Sequence, residues 1–578
     1  MTASSSFTIP RLEMDPETGR QLLMVKDKPF LCLAGELQNS SSSSASYMEK
    51  QMENLRSMNL NTILMAVSWE QIEPIENTFD FAELEANILL ARKYDFKLVL
   101  VWFGNYKNGM STYVPSWVKK DPNRFPRCSI HCPNNDQESI VEVLTPFAKE
   151  NWNADAKAFG HLMSHIKEID SVENTVIMVQ VENEPGLLGD SRDRSREAQS
   201  NWDAGVPKLL LERLAKTTLH PILLSRLPNL PKILQNAALS SSTSDGWIEV
   251  FGSQADEVFM ADAFSQYVEQ VARAGKEAYA IPFFINTWLS CDDVTCLDLE
   301  GIPLKHNMTT AAGGGNKPGD YPSGGCCPQM LNVWQQNAPS LDIFSPDIYL
   351  HNFQWVCEQY VGQNNTTQRT LVIPEMRRDE YGARRLMLAY GNYNCLAASP
   401  FGIDTMKANE APFSRIFKLL KKVEKPLLKA KPGLETFGFC FDEIDRSRST
   451  IEETRVKIMG DWKIIIKRAH VFGVPGPGCG IVIQEAHDKF LCIGWGYSVY
   501  FSHENKQFTG ILSAMELDYV NTEDGQGTLK QGRLLNGDET RSGACLTMPN
   551  EYPDEGGFPI PITIPSGTAI TVCQPYAL

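Results

Sequence analysis

The chain lacks any apolar run of the roughly 20 residues that a bilayer span demands, so no membrane-spanning helix is expected. It is poor in histidine, with nine in 578 residues. No strand-like run ends on one, which argues against a metal-dependent hydrolase built on histidines at strand ends. It also lacks a basic excess: 54 Lys and Arg stand against 70 Asp and Glu, for a formal net charge of -16. Phosphate backbones demand basic patches, and none stands out, so nucleic acid is not an expected partner. The start, Met1 to Phe7, has neither the basic segment nor the apolar stretch of a secretory signal. A soluble, intracellular protein is therefore expected, with secretion left open.

Cysteine is not scarce, at 14 residues. Cys291 with Cys296, and Cys326 beside Cys327, sit in loop-like sequence where disulfides could form. Cys128-Ser129-Ile130-His131-Cys132 resembles half a zinc site, but no second pair of like spacing follows, and no metal or other cofactor is expected. Asn307-Met308-Thr309 and Asn364-Asn365-Thr366 match the short glycosylation sequon. No periodic repeat is evident, which excludes a solenoid.

What the chain does have is an alternation of strand-like and helical patterns over its first 420 or so residues. Eight runs read as strands: 30–34, 62–67, 97–103, 175–181, 281–287, 341–347, 370–374 and 395–399. Eight is the closure number of a (β/α)8 barrel. Between them, apolar residues at three- and four-residue steps predict helices over 47–57, 81–94, 156–168, 207–215 and 261–274. The serine tract 40–44 reads as a polar loop. Two connections, from Glu184 to about Tyr279 and the Gly/Pro-rich 311–329, are longer than a barrel needs and follow strand ends, the face where such barrels hold their sites. From about Gly433 short strands with glycine-rich turns take over, predicting an all-β sandwich. The expected architecture is an α/β chain: a (β/α)8 TIM barrel over 1–430 followed by a β-rich domain over 431–578.

The run Val179-Gln180-Val181-Glu182-Asn183-Glu184-Pro185-Gly186 ends a buried-type strand on a carboxylate. Thr370-Leu371-Val372-Ile373-Pro374-Glu375 does the same. Two carboxylates on the ends of two distant parallel strands are the minimum equipment for cleaving a glycosidic bond. Taken by position alone, Glu375 reads equally well as an acid at a helix N-terminus. Glu182 would share a face with Glu184 on a regular strand; its deeper place suits a hydrogen-bonded support. Trp69, Trp102, Trp288, Tyr349 and Phe401 are plausible walls for a sugar ring, although a tryptophan near a barrel strand is as readily core. Asn105 and Asp347 are candidate hydroxyl partners.

These residues sit in ordered motifs: Gly35-Glu36-Leu37-Gln38-Asn39-Ser40-Ser41, Ser68-Trp69-Glu70, Trp102-Phe103-Gly104-Asn105, Asn183-Glu184, Asn286-Thr287-Trp288, Pro346-Asp347-Ile348-Tyr349 and Pro374-Glu375. Together they resemble glycoside hydrolase family 35, in the branch with a single β-rich C-terminal domain, where Arg533 to Thr540 is also similar. The resemblance implies a retaining exo-β-galactosidase with Glu184 as general acid/base and Glu375 as nucleophile. It implies that Asn183 binds the hydroxyl next to the anomeric carbon. Glu36, Asn39, Trp69, Trp102, Asn105, Asn286, Trp288, Asp347 and Tyr349 complete the expected galactoside site. Gln38 departs from the histidine of the family pattern, which bears on sugar preference. The same mechanism on a β-glucoside, β-galactofuranoside or α-L-arabinopyranoside is the alternative, and a non-catalytic carbohydrate-binding protein is a third reading. Self-association is possible.

Overall fold

The computed structural model describes residues 8–132, 137–239, 246–291, 296–298, 314–361, 370–442, 454–469, 477–521, 527–550 and 567–578. Both glycosylation sequons lie outside these residues. The chain forms two compact units: Met1–Glu13, Leu22–Arg377 and Ala397–Lys407 in one, and Met14–Gln21, Arg378–Leu396 and Ala408–Leu578 in the other.

The first unit is the barrel. Its strands are Ala34–Glu36, Thr62–Ser68, Lys97–Lys107, Val176–Asn183, Phe283–Trp288, Ile343–Asp347, Leu371–Met376 and Cys395–Pro400, the last lying in this unit from Ala397 onward. The first six form one parallel sheet in spatial order. Parallel bridges close the ring, from Ile348 to Met376 and from Cys32 and Glu36 to Ala397 and Phe401. The fourth strand, Val-Ile-Met-Val-Gln-Val-Glu-Asn, is buried at every position, as a strand covered on both faces must be. The helices Ala45–Ser57, Ala82–Lys93, Lys149–Asp170 and Ala255–Ala278 alternate with the strands.

The serine tract is more ordered than a polar loop. Ser41–Ser43 form a 3-10 turn with Ser41 and Ser42 buried, and the Ser44 side chain caps the following helix by accepting from the Tyr47 amide. Capping is the use for which serine is favoured at that point. Among the described residues, the long segment after Glu184 holds five short helices from Arg196 to Phe251 before the helix Ala255–Ala278. No helix among the described residues is long and apolar enough to cross a membrane.

The second unit carries two antiparallel sheets, one of six strands and one of four. Phe439, Val482, Phe490 and Cys573 from the first, and Trp462, Ile464, Tyr497 and Leu546 from the second, fill one core. That shared core makes the pair a sandwich. The helix Phe413–Lys429 in this unit buries Phe413, Ile416, Phe417, Leu420, Val423 and Leu427, a stripe at three- and four-residue steps.

Candidate active site

The carboxyl ends of the barrel strands surround a cleft of about 340 Å³ lined by residues that include Gln38, Asn39, Lys107, Glu184, Asp347 and Glu375. Trp288, Tyr349, His351 and Phe401 form further walls. One carboxylate oxygen from each of Glu184, Asp347 and Glu375 lies within 4.8 Å of the other two. The barrel thus converges on one point three acids that are separated by up to 191 residues of sequence.

Glu375 sits on the seventh strand. The downstream helix starts only at Glu380 and is capped by Asp379, so Glu375 is not the acid of a helix N-terminus. The Tyr349 hydroxyl donates to Glu375 Oε2 at 2.6 Å and the Asn183 amide to Oε1 at 3.3 Å. Lys107 Nζ stands 3.7 Å from Oε1 and donates to Asn183 Oδ1 at 3.0 Å. The lysine is itself buried. Burial works against its charge, but Glu375, Glu184, Glu36 and Asp347 around it raise its pKa above the ordinary lysine value.

Glu184 has different surroundings. Its amide donates to Asn286 Oδ1 at 2.8 Å, and the other end of Asn286 donates to Asp347 Oδ2 at 2.7 Å. Burial first, and then the charge of Glu375, push the Glu184 carboxyl up to about 7, against the pull of Lys107. Asp347 is driven well above the usual carboxylate range by burial and by the charges of Glu375 and Glu184. Its Oδ1 is buried with no donor, and the neighbouring Glu184 carboxyl can supply one only if the pair holds a proton. Glu36, also buried, is raised for the same reasons. The cleft therefore sets three raised acids, Glu184, Asp347 and Glu36, around Glu375, which accepts from Tyr349 and Asn183. Glu184, Asp347 and Glu375 form the one group of acidic, histidine or cysteine side chains among the described residues close enough to reach a common ion. The Lys107 ammonium supplies positive charge beside this group.

The backbone at the fourth strand's end is strained. Glu182 and Glu184, on either side of Asn183, have φ of 65° and 46°, a left-handed conformation that costs non-glycine residues about 1–3 kcal/mol each. It turns the two glutamates to different surroundings. Glu184 faces the cleft, whereas Glu182 is fully buried and accepts from the Tyr106 and Asn105 amides at 2.6 and 3.3 Å.

Of the residues expected at the site, Asn39, Glu184, Trp288, Asp347, Tyr349 and Glu375 line the cleft. Asn183, Glu36 and Asn286 lie buried beside it, the first and last bonded to its acids. Trp69 and Trp102 do not line it. Both are fully buried, with indole N–H groups bonded to Glu73 and Asp155, so they serve the core. Asn105 is also buried away from the lining, its side chain accepting from Ser111. Lys107 was not among the expected residues because the third strand was expected to stop at Phe103, whereas it runs to Lys107. A lysine four residues past an unbroken apolar strand is the signal that could have found it. Cys326 and Cys327 are buried free thiols.

Residues 39–214 match the glycoside hydrolase family 42 model, described as β-galactosidase, and residues 413–547 match a domain of unknown function, DUF5597. The stretch 39–214 is thus similar to the glycoside hydrolase family 42 domain. The match is to family 42, not to the family 35 suggested by the motifs. The matched stretch includes Asn183 and Glu184 and ends before Glu375. Similar solved structures include the β-galactosidase of Bacillus circulans sp. alkalophilus, at 13% identity over 70% of this chain and 58% of that one, with a TM-score of 0.43. The β-galactosidase of the psychrophilic Marinomonas ef1 is 11% identical over 68% of this chain and 60% of that one, with a TM-score of 0.42. The catalytic domain of a Paenibacillus polymyxa β-amylase is 10% identical over 66% of this chain and 94% of that one, with a TM-score of 0.38. The chain spans less than two thirds of the length of the first two. No curated protein matches.

Proposed function

We propose that this protein is a retaining exo-β-galactosidase. The observation that carries the reading is the approach of Glu184 and Glu375 to within 4.8 Å, oxygen to oxygen, in one cleft. Retaining enzymes hold their two carboxyl groups about 5–5.5 Å apart, and inverting enzymes leave about 6.5–9.5 Å for a water molecule. Glu375 attacks the anomeric carbon while Glu184 gives its proton to the departing glycosidic oxygen. The resulting glycosyl ester neutralises Glu375, and Glu184 then takes a proton from the water that attacks the same carbon and frees Glu375. Asn183, which bridges Lys107 and Glu375, binds the hydroxyl beside the reacting carbon in this reading. Trp288 and Phe401 supply the apolar walls on which a sugar face can lie.

Turnover of nitrophenyl β-galactoside, with the anomer of the first-formed galactose followed by NMR, tests this reading. Release of the β-anomer is expected, and release of the α-anomer would overturn the retaining assignment. A panel of aryl glycosides reads the sugar: faster hydrolysis of another glycoside would keep the two-glutamate mechanism and replace galactose.

A further inference from the structure

Behind the cleft lies a second pair of acids, Asp155 on the helix Lys149–Asp170 and Glu182 on the fourth strand, both fully buried. Every oxygen is satisfied. Trp102 Nε1 donates to Asp155 Oδ1 at 2.9 Å, while the Tyr267 hydroxyl and the Asn105 amide donate to Oδ2 at 2.9 and 3.1 Å. The Asn105 and Tyr106 amides donate to Glu182, so the Asn105 amide is shared between the two carboxyl groups. Neither forms an ion pair with a lysine or arginine among the described residues. The titratable groups facing the pair are Tyr106 of the third strand and Tyr267 of the helix Ala255–Ala278, with Cys128 and Asp193 beyond Tyr106. All are neutral or anionic. Two buried negative charges side by side without an ion-pair partner are strongly disfavoured, which favours a proton on the pair.

The ladder between the third and fourth strands shows what this pair holds. Trp102 is paired with Val181 and Lys107 with Asn183, so four residues of one strand oppose the single residue Glu182 of the other. The bulge has lost its backbone partners there, and the two carboxyl groups take up the freed amides. They close so tightly that a Cβ on Gly104 would lie 2.5 Å from Glu182 Oε1 and 2.7 Å from Asp155 Oδ1. The bulge ends on Lys107, which reaches Asn183 and Glu375.

We infer that Asp155 and Glu182 are positioning residues that share one proton, and that this protonated pair holds the bulge which delivers Lys107 to Asn183 and Glu375. The part concerning Lys107 rests on the proposed glycosidase reading, whereas the shared proton does not. Burial and the charge of Asp155 raise the Glu182 carboxyl well above its ordinary value. A raised carboxyl favours folding below its unfolded pKa, and that contribution is lost as pH rises through the folded value. The test compares Glu182→Gln with wild type by melting temperature from pH 4.5 to 9. The amide keeps a donor towards Asp155 and an acceptor for the bulge but cannot ionise, so its melting temperature should improve steadily against wild type as pH rises. Titrations elsewhere cancel in that difference. A constant deficit over the whole range would show Glu182 to be ionised and would overturn the shared proton. On nitrophenyl β-galactoside, Glu182→Gln should keep kcat within tenfold, while Glu182→Ala, assayed well below its own melting point, should lose at least a hundredfold. A folded Glu182→Ala variant with wild-type kcat would overturn the positioning role. Failure of wild type to hydrolyse any glycoside would defeat the functional reading and leave the melting comparison intact.

Discussion

The barrel holds two acid pairs, Glu184 with Glu375 in the cleft and Asp155 with Glu182 behind it, and they differ in what lies beside them. The cleft pair has an ammonium, Lys107, within reach and an opening to solvent. The rear pair is sealed from solvent and forms no ion pair with a lysine or arginine among the described residues. With a cation and an exit, a pair of carboxyl groups can exchange protons with a substrate. Sealed and without a cation, a pair can only keep its proton and act as a clamp. The fourth strand supplies one member of each pair from positions two residues apart, and the left-handed backbone at both separates the roles that a regular strand would have placed on one face.

The largest effect expected from breaking the contrast comes from the cleft pair itself. Glu375→Gln removes the proposed nucleophile and should lower kcat on nitrophenyl β-galactoside by roughly 10⁴ to 10⁶, the range for loss of a covalent nucleophile or its partner. Glu184→Gln removes proton transfer, worth about 10² to 10⁴. Because the cavity is otherwise intact in both, melting temperatures should stay within a few degrees of wild type. Activity retained in either variant would refute its role.

Lys107 is the next point of leverage. Lys107→Met keeps much of the stem and removes the charge beside Glu375 and the donor to Asn183, so kcat should fall by about 10² to 10³, as for loss of one preorganised donor. The ammonium also holds the Glu184 carboxyl down. The variant's alkaline limb should therefore shift to higher pH, and a shift downward would contradict the geometry. As the proposed acid, Glu184 must be protonated in wild type, and its carboxyl is pushed up to about 7, so kcat/KM should fall as pH rises through about 7. The sign follows for stability too. A carboxyl raised by folding gives up its favourable contribution as it ionises, so heating experiments across that interval should show Glu184→Gln gaining on wild type.

Much of this was legible in the residues because buried parallel strands are locally encoded. The runs at 62–67, 97–103, 175–181 and 281–287 are apolar and largely β-branched or aromatic, and each became a strand. Glu184 and Glu375 were visible because each interrupts such a run. The bulge was not visible, since Gly104 to Tyr106 are held by Asp155 and Glu182, about 50 and 77 positions away, and no local pattern encodes such a contact. Strand Gly527–Leu535 was missed for another reason: it is exposed at most of its positions, so it lacks the alternation by which half-buried strands declare themselves.

Trp69 gives the smallest and most discriminating effect, because it divides wall from core. Its indole N–H donates at 2.9 Å to Glu73 Oε2, while Oε1 of the same buried glutamate takes the Asn77 amide at 2.8 Å. Its ring meets Trp117 edge-on at 5.9 Å. Trp69→Phe keeps an aromatic ring but leaves one oxygen of Glu73 without its donor, a cost of about 1–3 kcal/mol. The melting temperature should drop while KM for the galactoside stays the same, because the ring does not border the cleft. Trp288→Phe, in the lining itself, should do the reverse, with KM rising and the melting temperature held. If Trp69→Phe raised KM instead, the substrate would have to reach beyond the cleft towards the second strand, and the boundary between core and site would need to be redrawn there.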